Sequence, residues 1–278
     1  MAKSFKVGIS PCPNDTYIFE GWALGHSTQK LAMETHFADV QTLNEMAQQG
    51  SLDVLKVSAG VLPLILEEYV VLSAGGAMGY GCGPLLLAHG RSHFDPDLPV
   101  ILPGQNTTAA VLFRRWSADK FGESFRAKCE YAFFDEVYRR LQSESQSQGV
   151  VIHEHRFTYA QHGLNLVADL GQHWEEATQS PIPLGVIVAK RSLGTQVCAQ
   201  ITAEIQHSLR WAQQRASLSS PWIASHAQCM DPEVMEQHIS MFVNEFSMHI
   251  STAGQRALQE LLHYSTGDAE MPEIMVND

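Results

Sequence analysis

Phe5-Lys6-Val7-Gly8-Ile9 is an apolar, strand-like run that ends in the tight turn Ser10-Pro11-Cys12-Pro13-Asn14-Asp15. A helix is predicted to follow over residues 16–24, with Asn14 or Asp15 as its N-cap. The turn of such a strand–turn–helix unit lies at the carboxyl end of its strand, which is where open α/β sheets bind ligands. The stretch therefore predicts an α/β fold, and it makes Asn14 and Asp15 candidate substrate contacts.

The rest of the chain repeats this alternation of short strands and helices, which is typical of an α/β protein. Further strands are predicted at residues 33–40, 52–58, 70–73, 84–88, 99–102, 129–132, 150–155, 165–169 and 184–189. Helices are predicted at residues 43–49, 59–68, 109–118 and 134–141, and the last third is mostly helical. Clustered glycines at 75–83 predict a turn, and residues 142–148 predict a polar surface loop.

The order of these elements predicts two lobes. The chain leaves a first lobe near residues 88–99 and returns to it near residues 185–192, which gives a large lobe of residues 1–98 plus 190–278 and a small lobe of residues 99–189. Two α/β lobes joined by two strands form a hinge with a cleft between them, and such clefts are common small-molecule sites.

Composition and charge argue against several classes of function. The 278 residues carry a formal net charge of −12, and 45% of them are hydrophobic, which is enough for a substantial core. The acidic balance argues against a nucleic-acid partner and against a polybasic membrane anchor. An anionic substrate would need a local cation or backbone N–H groups within this acidic surround.

The chain also lacks the usual signs of secretion. No apolar signal segment follows Met1, and no run approaches the ~18–20 apolar residues of a membrane span. We therefore expect a cytoplasmic protein with reduced thiols and no membrane association. The five widely spaced cysteines, none in a Cys-x-x-Cys pair, are Cys12, Cys82, Cys129, Cys198 and Cys229.

A second apolar run, Gly149-Val150-Val151-Ile152, ends in His153-Glu154-His155-Arg156. A histidine at a strand end can exchange a proton near neutral pH, since its ordinary pKa is about 6.5. A lone histidine there is more often a packing or surface residue. His153 and His155 would share one face of a strand and could bind a metal together. No third ligand with matching spacing is evident, so the metal interpretation is the lesser one.

Two further segments could face the same cleft. Lys56-Val57-Ser58 brings a cation and a hydroxyl to a strand end, although Lys56 alone could be a surface lysine. Thr107-Thr108-Ala109 begins a predicted helix, whose N–H groups and dipole can hold a carboxylate. Either threonine could equally be a plain N-cap. No Gly-x-Gly-x-x-Gly or Walker sequence supports a nucleotide cofactor.

Together these stretches resemble the 1,4-dihydroxy-6-naphthoate synthase family, which acts in menaquinone biosynthesis by the futalosine pathway. The resemblance runs in order over nearly the whole chain. It is carried by Ser10-Pro11-Cys12-Pro13-Asn14-Asp15-Thr16-Tyr17-Ile18-Phe19, Lys56-Val57-Ser58, Gly75-Gly76-Ala77-Met78-Gly79, Pro103-Gly104-Gln105-Asn106-Thr107-Thr108-Ala109, Val151-Ile152-His153-Glu154-His155-Arg156-Phe157-Thr158-Tyr159, Pro183-Leu184-Gly185 and Val243-Asn244-Glu245-Phe246-Ser247.

The resemblance implies an α/β, two-lobed, periplasmic-binding-protein-like (type II) fold that has been turned to catalysis. It implies a lyase that converts cyclic dehypoxanthine futalosine, a small anionic substrate, into 1,4-dihydroxy-6-naphthoate, with no metal and no organic cofactor. By motif position His153 would be the catalytic base, and Lys56 to Ser58 with Thr108 and Ala109 would line the substrate site.

Two departures and two alternatives accompany the resemblance. His155 stands where the family has a small residue, and the loop at 143–148 is more polar than the family's. Because His155 would share a strand face with His153, it could alter the pKa or the orientation of that base. The alternatives are a chorismate dehydratase-like enzyme on the same fold and a non-catalytic small-molecule binding protein.

Overall fold

The computed structural model describes residues 3–26, 28, 31–153, 155–227, 231–267 and 272–276. Its strands form two sheets and carry the bounds β1 (Lys3–Ile9), β2 (Leu31–Phe37), β3 (Val54–Ser58), β4 (Tyr69–Val71), β5 (Ala77–Gly79), β6 (Leu85–His89), β7 (Val100–Leu102), β8 (Cys129–Tyr131), β9 (Gln148–Val151), β10 (Leu164–Asp169) and β11 (Ile182–Lys190).

Helices cover both sheets and make up most of the last third of the chain. They are α1 (Pro13–Ala23), α2 (Val40–Gln48), α3 (Thr108–Phe121), α4 (Phe134–Ser143), α5 (His155–Thr158), α6 (Leu170–Thr178), α7 (Thr195–Gln213), α8 (Pro221–His226), α9 (Pro232–Phe242), α10 (Glu245–Met248) and α11 (Thr252–Thr266). Short 3₁₀ turns are found at Ala59–Leu64, Tyr159–His162 and Arg191–Leu193.

The first sheet has the strand order β2-β1-β3-β11-β4, and β5 also pairs with β11. β1 runs parallel to β2 and β3, whereas β11 is antiparallel to its three neighbours. All five residues of β3 are buried, as expected for a central strand with both faces covered. Because β1 and β3 are parallel, the turn after Ile9 and the end of β3 at Ser58 meet at one edge.

The second sheet has the order β10-β6-β9-β7-β8. β7 is parallel to β8 and to β9, while β6 is antiparallel to β9 and β10. The carboxyl ends of β7 and β9 therefore lie at the same edge of this sheet. β7 leads into the segment before α3, and β9 leads into His153, so two of the predicted site segments become neighbours.

The predicted α/β class with two lobes is confirmed by this pair of sheets. The lobe limits predicted at 98/99 and 189/190 stay a prediction as domain boundaries. The chain passes from one sheet to the other before each of these limits, since β6 (Leu85–His89) already belongs to the second sheet and β11 (Ile182–Lys190) already belongs to the first. The two crossings between the sheets thus fall between β5 and β6 and between β10 and β11.

Several local predictions were wrong. α1 begins at Pro13 with Cys12 as its N-cap, because proline suits the first helical position; Asn14 and Asp15 lie inside the first turn. Residues 59–64 form a 3₁₀ helix with Pro63 inside it, since proline cannot continue an α-helical hydrogen-bond ladder. Part of the predicted glycine turn is strand β5, which pairs with β11.

No helix in the described part of the chain is long and apolar enough to cross a membrane. None of the cysteines at positions 12, 82, 129 and 198 forms a disulfide, and Cys229 lies outside the described residues.

Candidate active site

A cavity lies where the carboxyl edges of the two sheets face each other. Its volume is about 720 Å³ when the open mouth is included. The turn after β1, the end of β3, the start of α3, the segment after β9, part of β11 and the end of α9 all contribute to its wall. The structure brings all the site residues predicted from the sequence to this one cavity: Asn14, Asp15, Lys56, Val57, Ser58, Thr107, Thr108, Ala109 and His153.

A buried ion pair joins the first two predicted segments. Lys56 Nζ lies 3.3 Å from Asp15 Oδ1, and each side chain is 6% exposed. The ammonium also donates to the carbonyl oxygen of Gly75 at 2.8 Å. The carboxylate of Asp15 accepts from Ser10 Oγ at 2.7 Å and from Asn14 Nδ2 at 2.9 Å. Lys56 is therefore a structural cation of the cavity wall and is not a surface lysine.

The amide of Asn14 contributes an unused acceptor to this wall. Asn14 is 6% exposed, and its Oδ1 is buried without a hydrogen-bond partner among the described residues. Buried polar atoms are nearly always paired. An acceptor left open at a cavity wall suits a hydroxyl or N–H donor on a ligand.

Ser58 is held by Asn44, which was not predicted as a site residue. Asn44 Oδ1 accepts from the backbone N–H of Ser58 at 3.0 Å, and its Nδ2 donates to Ser58 Oγ at 3.2 Å. Asn44 is fully buried on α2. An asparagine inside a helix that carries leucine and alanine was the available signal, since asparagine is a weak helix former.

The start of α3 combines a plain cap with a fixed hydroxyl. Thr107 is the N-cap, and its side chain accepts from the N–H of Ala110 at 3.2 Å. Thr108 Oγ1 donates to the carbonyl of Leu184 at 2.7 Å and accepts from the N–H of Gly60 at 3.1 Å. Helix geometry gives the N–H groups of Thr108 and Ala109 no intrahelical acceptor, so they and the helix dipole remain for an anion.

Gly60 permits this close contact between the first lobe and α3. A Cβ at Gly60 would lie 2.7–2.8 Å from backbone atoms of Thr107 and Thr108. Only glycine lets the 3₁₀ turn after β3 approach the helix start so closely.

His153 does not lie on a strand, contrary to prediction. β9 ends at Val151, and His153 has a left-handed backbone with φ of 58°. A non-glycine residue in this region is strained, and such residues concentrate at functional sites. The turn at His153 leads into the short helix α5 (His155–Thr158). Glu154 lies outside the described residues.

The ring of His153 lies among aromatic side chains. Its centroid is 4.8 Å from the Phe134 ring and 5.7 Å from the His238 ring. Burial raises the pKa of the Asp39 carboxyl above its ordinary value, and His153 is close enough to lower that pKa in part. His153 therefore lines the cavity and packs against the rings of Phe134 and His238.

His153 and His155 both lie beyond the end of β9, so the prediction that the two share a strand face was wrong. The backbone reversal at His153 places His155 on α5. Its ring stacks on that of Tyr138, with 3.9 Å between the ring centroids and 9° between the ring planes. Its Nε2 is 3.4 Å from Asp135 Oδ1. The described residues contain no group of three side chains suited to a metal ion.

Arg156 and Cys82 also line the cavity, although neither was predicted as a site residue. Arg156 donates from Nη1 to the carbonyl of Gly83 at 2.6 Å and from Nη2 to that of Gly81 at 2.8 Å, which ties the segment after β9 to the crossing between the sheets. Burial raises the pKa of the Cys82 thiol to about 12, so Cys82 is protonated and unsuited to nucleophilic attack at neutral pH. Arg156 stood in the quoted motif, whereas nothing local marked Cys82.

Solved structures with this architecture include binding proteins. A protein from Archaeoglobus fulgidus superposes with a TM-score of 0.85 at 27% identity over 94% of this chain and 96% of its own. The alkanesulfonate-binding protein SsuA from Xanthomonas axonopodis pv. citri, bound to MOPS, superposes with a TM-score of 0.66 at 11% identity. The match covers 87% of this chain and 86% of SsuA. The predicted periplasmic-binding-protein-like fold is thereby confirmed.

Sequence relatives are more informative about the family. The 1,4-dihydroxy-6-naphthoate synthase of Streptomyces coelicolor is 40% identical over 276 residues, which cover 98% of this chain and 96% of the relative. The enzyme of the same name from Thermus thermophilus is 34% identical over 93% of each chain. A profile of the menaquinone biosynthesis family matches residues 5–266. The chain therefore belongs to the menaquinone biosynthesis family that includes the 1,4-dihydroxy-6-naphthoate synthases, as its sequence motifs predicted.

Proposed function

We propose that this protein is a lyase that converts cyclic dehypoxanthine futalosine into 1,4-dihydroxy-6-naphthoate. The observation that carries the proposal is that a histidine at a strained turn, a helix N-terminus and the Lys56 segment line one cavity. The relatives at 40% and 34% identity are named for the formation of this product.

In this proposal His153 is the general base. A neutral imidazole removes a proton from carbon or from a hydroxyl of the substrate, and the ring system then eliminates to give an aromatic product. The proton stays on His153 until it is returned to solvent or to the departing fragment. Because aromatisation supplies the driving force, the protein mainly has to orient the substrate and exclude water.

The charges of the cavity support an anionic substrate. Among the described residues of its wall, Lys56 and Arg156 are cations and Asp15 is the carboxylate. Since Lys56 and Asp15 pair with each other, the Arg156 guanidinium has no carboxylate partner among the described residues of the wall, in a protein of net charge −12. We infer that the substrate carboxylate binds the N–H groups of Thr108 and Ala109 with the Ser58 hydroxyl nearby, where the helix dipole adds to this field.

One experiment separates this function from its alternatives. The purified protein is incubated with cyclic dehypoxanthine futalosine and, separately, with chorismate, and the products are identified by mass spectrometry. Formation of 1,4-dihydroxy-6-naphthoate supports the proposal. Dehydration of chorismate would assign the sister activity, and binding without conversion of either compound would assign a binding protein.

The role of His153 is tested in the same assay. His153→Asn should abolish turnover while leaving substrate affinity within about threefold in calorimetry, since a base contributes mainly to the transition state. His207, which is half-buried on α7 away from the cavity, offers a matched His→Asn control that should keep full activity. Near-normal turnover by His153→Asn would remove His153 from the base role.

A further inference from the structure

A second histidine lies against the proposed base without lining the cavity. His238, on α9 (Pro232–Phe242), is 1% exposed. Its ring centroid is 5.7 Å from that of His153, and the two ring planes differ by only 14°. Its ring centroid is also 4.7 Å from that of Phe242 on the same helix. The imidazole is thus buried against the rings of the proposed base and of Phe242.

Both nitrogens of His238 are buried and have no hydrogen-bond partner among the described residues. Buried polar atoms without partners destabilise a folded protein, and they are rare enough that each calls for a reason. A phenylalanine would fill the same space against Phe242 and His153 with no polar atom to satisfy. The imidazole at this position therefore costs stability that a purely packing role does not require.

Burial also settles the charge state of this ring. The loss of solvation lowers the pKa of His238 well below its ordinary value, and the neighbouring His153 lowers it further. The ring is therefore neutral at neutral pH, and a neutral imidazole always presents one N–H donor and one acceptor nitrogen. The acceptor nitrogen of His238 consequently lies beside His153, which becomes a cation in the proposed function when it takes the substrate proton.

We propose that His238 is a positioning residue whose acceptor nitrogen receives a hydrogen bond from the His153 imidazolium after that base takes the substrate proton. The inference rests on the proposed function. The proton remains on His153, and no covalent bond to His238 forms or breaks. The ring centres are close enough for side-chain rotation to bring a nitrogen of each within hydrogen-bond distance. A hydrogen bond to a charged group is stronger than a neutral one, so the contact would favour the protonated base and fix its orientation.

Two substitutions separate this role from packing. His238→Phe keeps an aromatic ring but removes the acceptor, whereas His238→Gln keeps an acceptor oxygen. We expect His238→Phe to lower kcat by about ten- to hundredfold, as for loss of a charged hydrogen bond, with KM within twofold. Its melting temperature should rise by a few degrees because the unpaired nitrogens are gone. His238→Gln should recover part of kcat, and His207→Phe on α7 serves as the control.

Defined results would overturn the proposal. A wild-type kcat in His238→Phe would show that the imidazole is not needed. A fall in kcat that comes with a higher KM and a lower melting temperature in both variants would show packing alone. Circular dichroism of each variant establishes that it is folded before the kinetics are compared.

A second measurement keeps this inference distinct from the proposed function. If the wild-type protein converts no cyclic dehypoxanthine futalosine, the proposed function fails, and the contact is still tested by NMR titration of the histidine rings. The His153 signals are assigned with His153→Gln. We expect the pKa of His153 to be lower in His238→Phe than in the wild type, and equal values would overturn the inference. The other charged groups around His153 are unchanged between the two proteins: Asp15, Asp39, Lys56 and Arg156.

Discussion

Lys56 and Asp15 form an ion pair of 3.3 Å in which both side chains are 6% exposed. Lys56 lies on β3 and Asp15 in the first turn of α1. The pair thus joins two segments that were predicted as site segments separately, without any sign in the sequence that they touch. Ser10, Asn14 and the carbonyl of Gly75 complete its hydrogen bonds. The pair is thus a satisfied network that shapes the cavity wall, and it leaves the cationic character of the cavity to Arg156 and the helix dipole.

Breaking this pair should be costly. Lys56→Met leaves the carboxylate of Asp15 buried without its cation, and we expect a loss of roughly 3–5 kcal/mol in the free energy of unfolding, as for other buried pairs broken on one side. Urea unfolding followed by circular dichroism measures this. Arg256→Met provides the control, because Arg256 pairs with Glu260 but is 66% exposed and should cost at most about 1 kcal/mol. Equal losses in the two variants would contradict the buried-pair interpretation.

The cap of α3 should be separable from the N–H groups that are proposed to hold the substrate carboxylate. Thr107→Ala removes the side-chain acceptor for the N–H of Ala110, with an expected cost of about 1 kcal/mol in unfolding free energy. Thr107→Ser keeps the acceptor and should retain most of the unfolding free energy that Thr107→Ala loses. Thermal unfolding of the pair of variants provides the measurement, and a Ser variant as unstable as the Ala variant would disprove the cap assignment.

A side chain at Gly60 should disturb the junction between the first lobe and α3. Gly60→Ala places a Cβ 2.7–2.8 Å from backbone atoms, which have no flexible end that can move aside. We expect a loss of about 1–3 kcal/mol in stability together with a higher KM, since the start of α3 must shift. Gly79→Ala is the milder control because its nearest contact would be 3.3 Å, to the Cys82 side chain. A neutral Gly60→Ala variant would show that the junction is looser than the structure indicates.

Cys82 should behave as an inert thiol. Its pKa is raised from 9.0 to about 12 by burial, so iodoacetamide at pH 8 should leave it unlabelled in the native protein and label it after unfolding, as read by peptide mass spectrometry. Rapid labelling of native Cys82 would contradict this prediction.

The same shift predicts an effect of pH on stability. The folded protein holds the thiol protonated, so the contribution of Cys82 is complete below the unfolded pKa of about 9 and is lost as the pH rises toward the folded value of about 12. Cys82→Ala should therefore show a shallower fall in stability than the wild type between these pH values. Unfolding in urea at a series of pH values checks the difference in slope.

Much of the fold could be predicted from periodicity. The strands β1, β3, β7, β8 and β11 and the helices α3 and α4 follow from short apolar runs and amphipathic segments, because local patterning is strong where an element is buried on a known face. Two of the errors occurred where a single proline overrides the pattern. Pro13 moved the start of α1, and Pro63 converted a predicted helix into a 3₁₀ turn.

The candidate site also has a part that the sequence predicted and a part that only the structure shows. Linear motifs predicted Lys56 to Ser58, Thr107 to Ala109 and His153 as site residues, since each stands at a strand end or a helix start that can be recognised locally, and the structure places all of them at one cavity. The sequence could not determine that Asp15 neutralises Lys56, that Asn44 holds Ser58, or that His238 lies against His153. These pairs are separated by many residues and depend on how the elements pack.

The sequence by itself therefore determined the family, the α/β class and the segments that meet at the cavity, because those depend on local patterns and ordered motifs. Only the tertiary structure decided the direction in which each side chain points. The left-handed turn at His153 places its ring at the cavity and the His155 ring on Tyr138, since a single backbone reversal breaks the alternation of strand faces that the predicted strand required.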